Sequence, residues 1–257
     1  MKKNVKLKLL LFILPIVFIA CSEGDKETST DSTTDSTKST IVDSSAKTQT
    51  MDAVSVAPNR YQVVKDSMGI RILKIIYKPG DSSAMHSHPD NVLYVIDGGK
   101  SQFTMQDGSK QVYELKAGTT MILPAATHSV KNVGTATTNA ILVEVHRPNT
   151  PVIPDPTLDA IKVAPQLYKL VKDTMNIRVL MANYKPGASS AMHAHPDNAI
   201  YIIEGGSAEF TDKDGKKQTL EMGKGTGLVM PAQQHGVKNT GKGNLKVLIV
   251  EVNRPER

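Results

Sequence analysis

The chain of 257 residues has one cysteine, no tryptophan and few aromatic side chains. A single cysteine, Cys21, excludes an internal disulfide and a thiolate metal cluster. The folded part must therefore rest on its apolar cores, or on metal held by other ligands. No segment sustains the 3.6-residue apolar period of an amphipathic helix, so a helical bundle is excluded. The longest apolar run, Leu9 to Ala20, is too short to cross a bilayer comfortably, which takes about 20 residues. Charge of one sign is also scarce. The formal excess is +6, but Lys2, Lys3, Lys6 and Lys8 lie in an N-terminal stretch without acids. The remainder carries 27 basic residues against 25 acidic ones, and no basic excess argues for nucleic acid as a partner.

Residues 1–20 read as a signal peptide, a lysine-rich start followed by an apolar run. The run ends Phe18-Ile19-Ala20-Cys21, which resembles a bacterial lipoprotein processing site with Cys21 as the lipidated N-terminus. That resemblance implies a membrane partner through an N-terminal lipid anchor. It places the protein in the bacterial cell envelope, as an outer-membrane lipoprotein facing either the periplasm or the cell surface. Residues 21–51 are rich in Ser, Thr, Asp and Lys and nearly lack apolar side chains, so they read as a disordered tether.

The folded part is an internal repeat. Residues 52–148 align without a gap to 159–255, with roughly half of the paired positions identical. A linker, 149–158, contains Pro151, Pro154 and Pro156 and is stiffened by them. Two domains follow, 52–148 and 159–257. Each reads as all-β. Strands are expected at Ile70–Tyr77, Val92–Ile96, Gln102–Gln106, Lys110–Leu115, Met121–Leu123, Ser129–Lys131 and Ala140–Val145, separated by Gly and Pro turns. Asp107-Gly108 and its copy Asp214-Gly215 predict type I′ hairpins. Many short strands of this kind point to a sandwich or barrel.

One phrase recurs, Ala84-Met85-His86-Ser87-His88-Pro89-Asp90-Asn91 and Ala191-Met192-His193-Ala194-His195-Pro196-Asp197-Asn198. Histidines two apart on an extended strand share a face. A third histidine follows in each copy, at His128 and His235. The spacing of Gly80, His86, His88 and Gly99, then of Gly118, Pro124, His128 and Asn132, resembles the two motifs of the cupin superfamily. Gly187, His193, His195, Gly206, Gly225, Pro231, His235 and Asn239 repeat it. The resemblance covers nearly all of the folded part. It implies two tandem cupin barrels (double-stranded β-helix, jelly-roll), a bicupin, with one metal per domain held by His86, His88 and His128 and by His193, His195 and His235.

Two departures from the family pattern matter. By spacing, Val92 and Ala199 stand where the family has a metal-binding glutamate. The Pro124–His128 segment is one residue short and lacks the family's glycine. A three-histidine site suits a divalent transition metal, Fe, Zn, Ni, Cu or Mn, with identity open. Three ligands leave coordination room for water or substrate. Asp90 and Asp197 read as acids of a loop at the mouth. Glu144 and Glu251 are expected as partners of the ligands or as a base, and Tyr94 and Tyr201 as pocket-lining candidates for proton transfer. His146 faces Asn253 in the second copy and reads as a surface residue. The small-molecule partner is either the substrate of a dioxygenase, lyase or isomerase, or the cargo of a non-catalytic protein binding a sugar or metabolite. A purely structural lipoprotein and a homo-oligomer both remain open. The missing glutamate argues against an oxalate-decarboxylase-like role, which uses the full ligand set.

Overall fold

A computed structural model describes residues 51–146 and 154–252. The signal peptide, Cys21, the tether up to residue 50 and residues 149–153 of the linker lie outside the described residues. Among those described, no helix is long and apolar enough to cross a membrane.

Each repeat builds two antiparallel sheets. In the first, a one-turn helix α1 (Ala53–Val56) precedes β1 (Tyr61–Ser67), β2 (Ile70–Tyr77), β3 (His86–His88), β4 (Asn91–Asp97), β5 (Gly99–Met105), β6 (Lys110–Leu115), β7 (Thr120–Leu123), β8 (Ala126–Asn132) and β9 (Thr138–Val145). Five strands pair in the order β1-β2-β9-β4-β7 and four in the order β3-β8-β5-β6. The second repeat copies this with α2 (Ala160–Val163), β10 (Tyr168–Thr174), β11 (Ile177–Tyr184), β12 (His193–His195), β13 (Asn198–Glu204), β14 (Gly206–Asp212), β15 (Lys217–Met222), β16 (Gly227–Met230), β17 (Gln233–Asn239) and β18 (Leu245–Val252). Its sheets run β10-β11-β18-β13-β16 and β12-β17-β14-β15. Chain-distant pairing such as β2 with β9 folds each repeat into a jelly roll.

The apolar residues of β4 alternate between two cores. Leu93 and Val95 join Tyr61, Leu73, Ile75 and Leu142 inside the barrel. Val92 and Tyr94 face the other way, where they meet Ile72 and Val143 and, from the second repeat, Val179, Ala199, Tyr201 and Val250. The five-stranded sheets of the two barrels thus pack through their outer faces. Contact is close at Gly227, where an added Cβ would lie 2.7 Å from Val64 Cγ1.

The hairpin turns differ from the type I′ expectation. The Gly108 amide bonds to the Met105 carbonyl at 3.0 Å, and only Gly108 of the Asp-Gly pair has positive φ, at 81°. The loop therefore has three residues, 106–108, a type I turn closed by a left-handed glycine. The Ser109 amide donates to Asp107 Oδ1 at 2.9 Å, which braces that geometry. Gly215 repeats it with φ at 80°.

Candidate metal centre

Strand alternation puts His86 and His88 on one face of β3, and both are buried. β8 runs antiparallel beside it with His128 directly opposite His86. The same pairing sets His235 opposite His193. In each barrel the three imidazoles present ligand nitrogens within 4.8 Å of one another. Among the described residues these are the two groups of His, Cys, Asp or Glu with such geometry.

Hydrogen bonds fix which nitrogen of each β3 imidazole carries the proton. His86 Nδ1 lies 2.8 Å from the Ala84 carbonyl oxygen, which can only accept, so Nδ1 carries the proton. His88 Nδ1 donates to Glu144 Oε1 at 2.6 Å. Both Nε2 atoms are therefore left with lone pairs. His193 Nδ1 lies 2.9 Å from the Ala191 carbonyl, and His195 Nδ1 lies 2.7 Å from Glu251 Oε1. His195 Nε2 is buried without any hydrogen-bond partner. A buried, unpartnered lone pair is costly unless it binds something. Two further imidazoles converge beside it, so the donor set fits a metal ion.

Burial keeps His86, His128, His193 and His235 neutral. It lowers the pKa of His128 to about 3, helped by His86 and His88. It lowers His193 to about 4, helped by His195, and His235 falls well below the ordinary value. Neutral imidazole is the form that binds metal.

Glu144 and Glu251 are fully buried. Burial would raise the Glu144 carboxyl, but hydrogen bonds from His88 and Arg71 hold it below the usual range. Arg71 Nε donates to Glu144 Oε2 at 2.6 Å, and its guanidinium also pairs with Asp52 at the N-terminus of α1. In the second barrel Arg178 joins Glu251 and Asp159. Each carboxylate thus stands behind a histidine and orients it. His146 is half exposed, with Nε2 3.1 Å from Glu144 Oε2.

The site differs from the sequence reading in three places. Tyr94 and Tyr201 do not line the cavity; they lie in the core between the barrels. Burial raises the Tyr94 hydroxyl, and the charge of Glu204 adds to this. Val92 and Ala199 lie in that same core. Strand parity does not carry from His88 to Val92, because β3 and β4 belong to different sheets with Pro89 and Asp90 between them. Asn91 and Leu93 face the cavity from β4 instead, and neither is a carboxylate. Asp90 also has another role than expected. Its Oδ1 accepts the Ala125 amide at 2.8 Å and holds the shortened turn before His128, as Asp197 does for Ala232 at 2.6 Å.

Two tyrosines carry what Tyr94 and Tyr201 do not. The Tyr61 hydroxyl lies 2.8 Å from His86 Nε2 and accepts a bond from Tyr77 at 3.2 Å. Tyr168 stands 2.8 Å from His193 Nε2 and 2.8 Å from Tyr184. Burial holds Tyr61 and Tyr168 well above the ordinary phenol range, so both are neutral donors. Their identity across the repeat was the available signal.

The first barrel holds a cavity of about 300 Å³, open to the outside, that reaches Tyr61, His88 and His128.

The model of the cupin domain matches twice, over residues 73–144 and 180–251. The chain belongs to the cupin family. Its fold is similar to oxalate decarboxylase of Bacillus subtilis, with a TM-score of 0.54, 17% identity, and coverage of 74% of this chain and 71% of that one; the Mn(II) centres of that enzyme are the subject of one such structure. The Lactobacillus farciminis oxalate decarboxylase–formate complex gives 0.52, 17%, 74% and 78%. At this identity the likeness fixes the fold. A cupin 2 barrel protein of Leptotrichia buccalis aligns with a TM-score of 0.44, 14% identity, and coverage of 75% and 88%. No curated protein is a significant match. The chain is thus a tandem cupin of two jelly-roll barrels, each with a three-histidine metal-binding group.

Proposed function

We propose that this bicupin is a metal-dependent enzyme of the cell envelope acting on a small organic molecule, with an oxygenase favoured over a lyase or isomerase. The buried, unpartnered Nε2 of His195, aimed at two further imidazoles, carries the metal reading. A transition metal bound there would supply Lewis acidity and, if redox-active, dioxygen chemistry. Glu144 and Glu251 are committed to His88, His195 and the two arginines, which leaves them unsuited to act as a free base. A lyase or isomerase that abstracts a carbon-bound proton needs such a base; an oxygenase relies on the metal. Tyr61 and Tyr168 supply neutral hydroxyls beside the ligands. Anchoring through Cys21 follows from the leader alone.

A second reading, capture of a small ligand without turnover, is favoured by the same engagement of Glu144 and Glu251. Oxygen consumption by the iron-loaded protein against a panel of small metabolites separates the two. Substrate-dependent uptake supports the enzyme; ligand binding without uptake supports capture.

A further inference from the structure

We infer that the first barrel takes a ligand with one oxygen head group and an apolar body of roughly eight to ten non-hydrogen atoms, the size set by its cavity at about 30 Å³ per water-sized group. The head-group half of this rests on the metal reading above; the body half rests on the cavity wall.

The wall is built from Ile75, Leu93, Phe103, Met121, Leu123 and Leu142. Among the described residues that line it, none is Asp, Glu, Lys or Arg. The groups able to bind a metal sit at the histidine end, where His88 and His128 meet Tyr61; the other polar lining residues, among them Ser101, Gln111 and Thr138, are uncharged. An ionic group away from that end would enter a mostly apolar wall with no charge to pair with, which is unfavourable. A two-carbon diacid would leave most of the wall against water and seat its second carboxylate beside no cation. A chain or ring with one head group satisfies both ends, the head on the metal and the body on the aliphatic wall.

Thr138 and Ala140 also line the cavity, on β9. The second barrel carries Leu245 and Val247 at the equivalent places, both buried on β18. Thr138→Leu with Ala140→Val therefore narrows the first cavity with the side chains that the equivalent strand of the second barrel carries.

The test is calorimetric titration of the zinc-loaded chain with acetate, butyrate, hexanoate, octanoate and oxalate, with zinc content measured on each sample. Affinity is expected to rise roughly four-fold per added methylene up to octanoate. Oxalate is expected to bind more weakly than octanoate. The double variant should keep its zinc and lose the rise beyond butyrate. A flat series on zinc-loaded protein, oxalate tighter than octanoate, or an unchanged series in the double variant overturns the inference. Should the chain take up no zinc, the series is run with whichever of Fe, Ni, Mn or Cu it holds, and a chain that holds none of the five fails the metal reading by itself. The body half is then read on the metal-free chain with the neutral alcohols ethanol, butanol, hexanol and octanol. The same rise upholds it, and a flat series rejects it.

Discussion

His88 Nδ1 stands 2.6 Å from Glu144 Oε1, and the copy of this pair, His195 and Glu251, stands at 2.7 Å. Two barrels that differ at about half of their positions keep this contact. It fixes the tautomer, and through the tautomer it fixes which nitrogen faces the ligand group. Glu144→Gln and Glu251→Gln keep the shape but remove the charge that holds the imidazole proton. Each should weaken metal binding in its own barrel by roughly 10- to 100-fold. Competition titration with a chelating dye on the two single variants checks this. Equal loss at both sites from one substitution would contradict it.

Tyr61→Phe removes the hydroxyl that meets the His86 Nε2 lone pair. In the metal-free protein that leaves a buried acceptor unpaired, at a cost of about 1–3 kcal/mol. A metal takes the same lone pair, so the metal-bound protein loses less. Tyr61→Phe should therefore lower metal-free stability while tightening metal binding by up to about tenfold. Urea unfolding with and without metal reads both effects.

Lowering the pH should destabilise the metal-free barrels. His86, His128, His193 and His235 have folded-state pKa values below their ordinary value because burial disfavours the charged form. The unfolded chain binds more protons than the folded one as pH falls through about 6.5. Stability should go on falling at least to about 3, the folded value of His128. Thermal melts of the metal-free protein from pH 7.5 to 4 check the direction; a rise in melting temperature on acidification would oppose it.

The contact between barrels is open to one substitution. A Cβ at Gly227 meets Val64 Cγ1 at 2.7 Å and Ile72 Cδ1 at 3.1 Å. Gly227→Ala should cost about 1–3 kcal/mol by overpacking. Val64→Ala in the same chain should restore part of the loss, because the two sites share one contact. Additive effects would show that the barrels do not pack here.

Much of this fold was legible in the sequence. β2 and β6 run over the residues expected, since their boundaries are marked by Pro79-Gly80 and by the Asp107-Gly108 turn. The histidine triad was legible because period two fixes His86 and His88, and a gap-free copy repeats all three positions. β1 was not expected as a strand; its burial pattern alternates poorly and it carries a bulge between Val63 and Lys65. The facing of Val92 and Tyr94 was misjudged because both sides of the central sheet are apolar, one toward the cavity and one toward the other barrel. Alternation then has no polar face to mark the outside. Tyr61 and Arg71 escaped because they reach the site across sheet pairings that spacing along the chain does not encode.

Metal binding by the two histidine triads is open to direct measurement. Metal content per chain should be measured on purified protein reconstituted in turn with Fe, Zn, Ni, Mn and Cu. The wild type should hold up to two ions, one per barrel. His86→Ala should remove one, and His86→Ala with His193→Ala should remove both. A wild-type chain that holds none of the five, or a double variant that keeps its full metal content, would contradict the central claim.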